Sequence, residues 1–133
     1  MNYFQLFSDG ASFNNPGPSG AGGVIFDKNQ KEIDSYSIPL GFATNNEAEY
    51  QSLIIGLNRV LKLNPQKVDI FLDSQLLVFQ LTGKYKIKNP RLKPLFDKVK
   101  FLIQRIPEVN FFYIPREKNK KADILAKKAA SSN

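Results

Sequence analysis

The chain of 133 residues contains no cysteine, no histidine and no tryptophan. Without cysteine there is no disulfide framework and no thiolate metal site. Without histidine the commonest zinc ligand and the commonest general base are missing. Any catalysis therefore runs on carboxylates, hydroxyls, amides, lysine or arginine. No uninterrupted apolar run approaches the length of a membrane span, and Met1-Asn2-Tyr3-Phe4-Gln5 has no basic segment leading into an apolar one. These absences predict a soluble, intracellular (cytoplasmic) protein with no membrane partner. Acid is the scarcer charge, 12 Asp and Glu against 19 Lys and Arg, and the net charge of +7 favours polyanionic partners. The excess is concentrated. Lys84, Lys86, Lys88, Arg91, Lys93, Lys98 and Lys100 stand against one acid, Asp97, and Arg116, Lys118, Lys120, Lys121, Lys127 and Lys128 form a second group.

What is present is an ordinary globular composition, 42% hydrophobic with 11 Phe and 5 Tyr. At this length one domain over residues 1–133 is expected, with Ser131-Ser132-Asn133 as a frayed tail, no appended domain and a monomer as the simplest state. Tyr3 to Ser8 reads as a central strand that stops at Asp9, followed by a Gly/Pro/Asn loop through Gly20. Ala21 to Phe26 and Lys31 to Pro39 read as strands joined by the turn Asp27-Lys28-Asn29-Gln30, an antiparallel hairpin. Thr44-Asn45-Asn46 is a helix-start signal. The helix it opens carries Leu53, Ile54, Leu57, Val60 and Leu61 on one face, and Glu49 falls on the side turned toward the core while Glu47 does not.

Lys67 to Leu72 is a strand ending on Asp73, and Ser74-Gln75 opens a helix stopped by Gly83. Asn89-Pro90 opens another helix through Ile103, Val109 to Ile114 is a fifth strand, and a last helix from Lys120 holds Asp123 in its first turns. The strand-helix-strand order implies parallel pairing with right-handed crossovers. If the first and fourth strands are neighbours, Asp9 and Asp73 end side by side at the carboxyl edge, where open α/β sheets hold ligands.

Four acids thus stand out, Asp9 and Asp73 at strand ends and Glu49 and Asp123 near helix starts. Carboxylates this close repel unless cations neutralise them. With neither histidine nor cysteine, the donor set favours hard, oxygen-loving ions, Mg²⁺ or Mn²⁺. Two such ions about 3.5 to 4 Å apart activate water and stabilise the leaving oxygen in an in-line displacement at phosphorus.

Asp9-Gly10 followed by Asn15-Pro16-Gly17-Pro18, then Thr44-Asn45-Asn46-x-x-Glu49, Asp73-Ser74-Gln75 and Asn119-x-x-Ala122-Asp123-x-Leu125-Ala126, resembles the successive signature segments of type 1 ribonuclease H in order and spacing, from Tyr3 to Ala130. The resemblance implies a ribonuclease H-like α/β fold, a five-stranded mixed sheet in order 3-2-1-4-5 with strands 1–3 antiparallel and 1-4-5 parallel, flanked by helices. It implies endonucleolytic hydrolysis of the RNA strand of RNA/DNA hybrids with two metal ions, leaving 5'-phosphate and 3'-hydroxyl ends. Asp9, Glu49, Asp73 and Asp123 match the family's metal-binding acids. Asn15, Thr44 and Asn45 match contacts to the DNA strand, Asn46 and Gln75 match positions near the RNA strand, and Asn119 falls in the last motif as a substrate-binding candidate.

Two departures from the family pattern carry expectations. The loop before the last acid lacks the histidine of many members, and Arg116 stands there as the candidate contact to the scissile phosphate or the departing product. It cannot serve as a general base, because its guanidinium stays protonated. Gly83 to Pro90 is too short for the extra basic helix of the best-studied bacterial branch, leaving Lys84, Lys86 and Lys88 to substitute in part through phosphate contacts. A nuclease of the same fold acting on double-stranded RNA or on DNA junctions is the related alternative. A catalytically idle hybrid- or RNA-binding module is the alternative from another class; its hallmark would be a lost acid, and all four are present.

Overall fold

The structure, a computed structural model, describes residues 2–133; Met1, the first residue of the expected domain, lies outside them. Among the described residues five strands and four α-helices run in the order β1 (Tyr3–Ser12), β2 (Gly17–Asp27), β3 (Glu32–Ala43), α1 (Asn45–Leu61), β4 (Lys67–Leu72), α2 (Gln75–Leu81), α3 (Lys93–Ile103), β5 (Glu108–Tyr113) and α4 (Lys120–Ala130), with a 3-10 turn over Arg116–Lys118. The strands form one sheet in the order β3-β2-β1-β4-β5. Its first three strands are antiparallel and β1, β4 and β5 are parallel, which is the mixed topology that the family resemblance implies.

Side-chain alternation along β1 sends Leu6 to one face and Phe7 and Asp9 to the other. Leu6 and its cross-strand partners Ile25 and Ile70 are fully buried and join Leu53, Leu57 and Val60 of α1 and Val99 and Leu102 of α3 in one core. Each such Leu or Ile contributes about 2 kcal/mol of transfer free energy. A polar network crosses this core. The Tyr36 hydroxyl donates to the Ser52 carbonyl at 2.8 Å, and the Ser8 and Ser52 hydroxyls pair at 2.8 Å. Burial pushes Tyr36 up to about 12, so it remains a neutral donor, and a fully satisfied network of this kind specifies how α1 sits on the sheet.

On the opposite face α4 lies over β2, seated by Ala122, Ala126 and Ala129. The fit depends on Gly22: a Cβ there would lie 2.3 Å from the Ala122 carbonyl oxygen and the Ala126 nitrogen. The missing side chain lets the helix backbone touch the strand, which brings Asp123 to the sheet edge.

Four elements, β1, β2, β3 and α3, differ in their boundaries from the sequence expectation. The first strand reaches Ser12 rather than Ser8, because its backbone stays paired with β2 as far as Ser12–Ser19. Asp9 and Gly10 are therefore ladder residues and not the start of a loop. β2 and β3 are correspondingly longer than expected, and β3 accommodates Pro39 because it is an edge strand. The third long helix starts at Lys93, since Asn89 first makes a turn in which its carbonyl oxygen Oδ1 accepts from the Arg91 amide at 2.8 Å. Residues 83–92 connect α2 to α3 without a helix. The final residues, expected to fray, carry hydrogen bonds. The Asn133 amide donates to the Ser19 carbonyl at 2.6 Å, and its oxygen accepts from the Gly41 amide at 2.8 Å.

Candidate active site

The site lies where two adjacent strands stop pairing. The parallel ladder between β1 and β4 ends at Phe7–Phe71, and two places further along that register Asp9 stands opposite Asp73. β1 continues with β2 while β4 gives way to the turn into α2, so the space between the two aspartates opens into a cleft. The cleft has a volume of ≈ 400 Å³, and its wall includes Asp9, Glu49, Asp73, Asp123, Arg116 and Lys127.

Glu49 enters from the first turns of α1. The helix is started by a capping box: the Thr44 hydroxyl accepts from the Glu47 amide at 3.1 Å, and the Glu47 carboxylate accepts from the Thr44 amide at 2.9 Å. Glu47 is thus used up by the cap, and Glu49, 7% exposed, turns inward as its position on the helix predicts. Gly10 permits the approach, since a Cβ on it would lie 2.3 Å from the Ala48 backbone. The Gly10 amide in turn donates to Glu49 Oε1 at 2.7 Å. Among the described residues the other oxygen, Oε2, is buried without a partner.

Asp9, Glu49 and Asp73 each offer an oxygen within 4.8 Å of the other two. Burial is the largest cause of their raised pKa values: Asp9 rises to about 7, helped by the neighbouring Asp73 and Asp123, and Glu49 rises well above the usual carboxylate range, helped by Asp9. Asp73 is also raised by burial, against the opposing pull of the Asn119 hydrogen bond and the Arg116 charge. Three carboxyl groups that cannot comfortably ionise together, one with an unpartnered oxygen, form a cradle that lacks a positive charge. An all-carboxylate donor set suits Mg²⁺ or Mn²⁺, and these residues fit such an ion.

Asp123 reaches the same cleft from α4 beside Asp9, whose carboxyl pKa it helps to raise, and its Oδ2 is 3.1 Å from the Lys127 ammonium one turn along the helix. Lys127 is a cleft residue that the sequence reading placed only in the second basic group, with no role at the site. The signal for it was there, an Asp-Lys pair at i,i+4.

The other expected contacts divide. Asn45 and Asn46 line the cleft with Arg116. Asn15 is at its margin, where its side-chain oxygen accepts from the Asn45 amide at 2.8 Å, and the Asn45 oxygen accepts from the Ser12 amide at 3.0 Å. Two of the expected amides are therefore already joined into one rigid edge. Thr44 is adjacent as the helix cap, and Gln75 is exposed on the first turn of α2 beside the cleft residue Ser74. Asn119, expected as a substrate contact, is 2% exposed, and its amide donates to both the Ser8 carbonyl and Asp73 Oδ2 at 3.0 Å, so it orients a carboxylate of the cleft.

Comparison with known proteins places these features in context. Residues 7–129 match the family described as reverse transcriptase-like. A bifunctional protein of Mycobacterium tuberculosis is 37% identical over 92% of this chain, which spans 34% of that relative's length. The structure superposes on that of RNase H1 from the archaeon Halobacterium salinarum with a TM-score of 0.95, at 30% identity over 98% of this chain and 99% of the other. It superposes on LC11-RNase H1, solved in complex with an RNA/DNA hybrid, with a TM-score of 0.91 at 37% identity over 97% of each chain.

Proposed function

Because the chain belongs to the family of type 1 ribonuclease H-like proteins, we propose that it is a nuclease that hydrolyses the RNA strand of RNA/DNA hybrids within a single domain. The observation that carries this reading is the meeting of Asp9, Glu49 and Asp73 oxygens within 4.8 Å around the unpartnered Glu49 Oε2. Asp9, Glu49, Asp73 and Asp123 would hold two divalent ions, Mg²⁺ or Mn²⁺. The ions supply an activated water and a stabilised leaving oxygen, the chemistry that leaves 5'-phosphate and 3'-hydroxyl ends.

The chain's own residues do the rest. Gly10 and Asn119 hold Glu49 and Asp73 in position through hydrogen bonds of 2.7 and 3.0 Å. Arg116 brings a permanent positive charge to the cleft and meets the scissile phosphate or the departing product. Asn15 and Asn45 present a joined polar edge to the DNA strand. Thr44 spends only an acceptor on its cap, so its O–H is free to donate to a phosphate of that strand. Asn46 and Gln75 take the RNA side, where an amide can both donate to and accept from the 2'-hydroxyl that separates RNA from DNA.

The test is to incubate the protein with end-labelled RNA/DNA hybrid, double-stranded RNA and double-stranded DNA, in Mg²⁺, Mn²⁺ or chelator. Cutting is expected in the RNA strand of the hybrid alone, is abolished by chelator, and falls by at least about a hundredfold in Asp73→Asn. Undiminished cutting by Asp73→Asn would remove the proposed site. Binding of hybrid without cutting in either metal would make the protein a binding module.

A further inference from the structure

A second concave site adjoins the acidic cleft and shares no lining residue with it. Phe7, Phe71 and Phe112 stand opposite one another across β1, β4 and β5, and their rings stack at centroid separations of 4.6 and 5.2 Å. Phe26 of β2 meets the Phe7 ring at 85° and 5.6 Å. Beside these rings, at the first turn of α4, lies a pocket of ≈ 200 Å³ with Phe7 and Phe26 as its aromatic side and Lys118, Asn119 and Lys121 on the other. Lys121 is paired with Glu32, whereas Lys118 is exposed and has no acid within ion-pair distance among the described residues. Asn119 ties the pocket to the cleft. Its amide nitrogen donates to the Ser8 carbonyl and to Asp73, and its oxygen Oδ1 is buried without a partner among the described residues.

We propose that this pocket takes one unpaired nucleobase of a single-stranded nucleic acid, held between the Phe7 and Phe26 rings and the Asn119 wall with its phosphate at Lys118. Each part of the ligand answers a part of the pocket. Aromatic side chains beside basic ones are what a single strand needs, since every base has a face that stacks on a ring and every nucleotide brings a phosphate for a lysine. The edge of a base carries N–H donors, and a buried acceptor with no partner is a site that a donor satisfies. Binding has to part the wall enough to uncover that oxygen, and the exposed Lys118 beside it is free to move. A base inside a duplex has its edge paired and both faces stacked, so only an unpaired nucleotide fits. The site therefore goes beyond the hybrid reading above, and it depends neither on the four acids nor on an ion.

Fluorescence anisotropy in chelator tests this with a short labelled oligoadenylate and an abasic sugar-phosphate chain of the same length. Wild type is expected to bind the base-bearing strand about tenfold more tightly than the abasic one, the effect of stacking one base. Phe26→Leu, which keeps an apolar side chain and removes the ring, brings the two within about twofold and leaves the abasic affinity unchanged. Lys118→Ala weakens both strands alike. The proposal is overturned if wild type binds the two strands equally, or if its preference survives in Phe26→Leu. Backbone amide NMR of the wild type, titrated with the same oligoadenylate, locates the base without any variant. Shifts centred on Phe7, Phe26 and Lys118 support the pocket, and shifts confined to Asn45, Asn46 and Arg116 put the base in the cleft and overturn it. Hybrid cleavage is scored separately. Its loss in wild type counts against the nuclease reading and leaves the anisotropy and NMR outcomes to decide the pocket.

Discussion

Asp9 holds its proton to about pH 7 because burial, Asp73 and Asp123 all disfavour the charged form. An unfolded aspartate releases its proton near pH 3.9. The folded chain therefore binds that proton more tightly than the unfolded chain, and this stabilisation is fully present below the unfolded value and lost as the pH climbs through about 7. In chelator, the melting temperature is expected to fall between pH 5 and pH 8, with a loss of about 2 kcal/mol from this group. Asp9→Asn flattens that fall and is more stable than wild type at pH 8. Millimolar Mg²⁺ or Mn²⁺ raises the melting temperature of wild type at pH 8 but not that of Asp9→Asn. Thermal melts across pH, with and without ion, check all three outcomes. At the same scale Asn119 shows what a motif position leaves open. The spacing to Asp123 is visible in the sequence, but that its amide turns to Asp73 and Ser8 depends on a chain crossing 46 and 111 residues away.

At the scale of elements, the site is made by close approaches that only glycine allows. α1 comes down on Gly10 and α4 on Gly22. Gly22→Ala puts a methyl group against helix backbone, which cannot rotate away as a side chain would, so α4 must lift and carry Asp123 and Lys127 with it. A loss of stability of about 1 to 3 kcal/mol is expected. Hybrid cleavage falls at least about tenfold even where the variant is fully folded. Denaturant unfolding alongside single-turnover cleavage separates the two effects. The starts of α1 and α2 were legible because their signals are local: Thr44, Glu47 and Ser74 lie within three residues of the amides they cap. The end of β1 was not. Apolar alternation stops near Ser8, whereas pairing to β2 continues to Ser12, and a backbone ladder leaves no mark in the side-chain pattern.

Over the whole molecule, a net charge of +7 surrounds a cleft of acids. The positive charge governs attraction to a polyanion, and the acids govern what happens to it. Hybrid affinity should therefore fall steeply with salt. Replacing Lys84, Lys86 and Lys88 together by Ala should lower the slope of log K against log salt by about 1 to 3, while the turnover number at saturating hybrid changes less than about twofold. Fluorescence anisotropy in chelator at several salt concentrations measures the slope. An unchanged slope would place the hybrid away from residues 83–92. No helix among the described residues is long and apolar enough to cross a membrane.

The amino-acid sequence by itself determined the chemistry available to this protein. With no histidine and no cysteine, and four acids set at strand ends and helix starts in a family's order, it favoured carboxylate chemistry with a hard cation. Local patterns gave the β2–β3 hairpin and the parallel crossovers, and the family resemblance implied the sheet order that the structure has. The tertiary structure alone decided which acids meet in one cleft. It opened the cleft by ending the β1–β4 ladder at Phe7–Phe71 while β1 ran on beside β2, and it set Lys127 against Asp123 in the wall of that cleft. The opening of the cleft and the arrival of α4 at its wall depend on distances across the fold between residues far apart in the chain, to which no local pattern responds; the Asp123–Lys127 pair itself is local, one turn apart on α4.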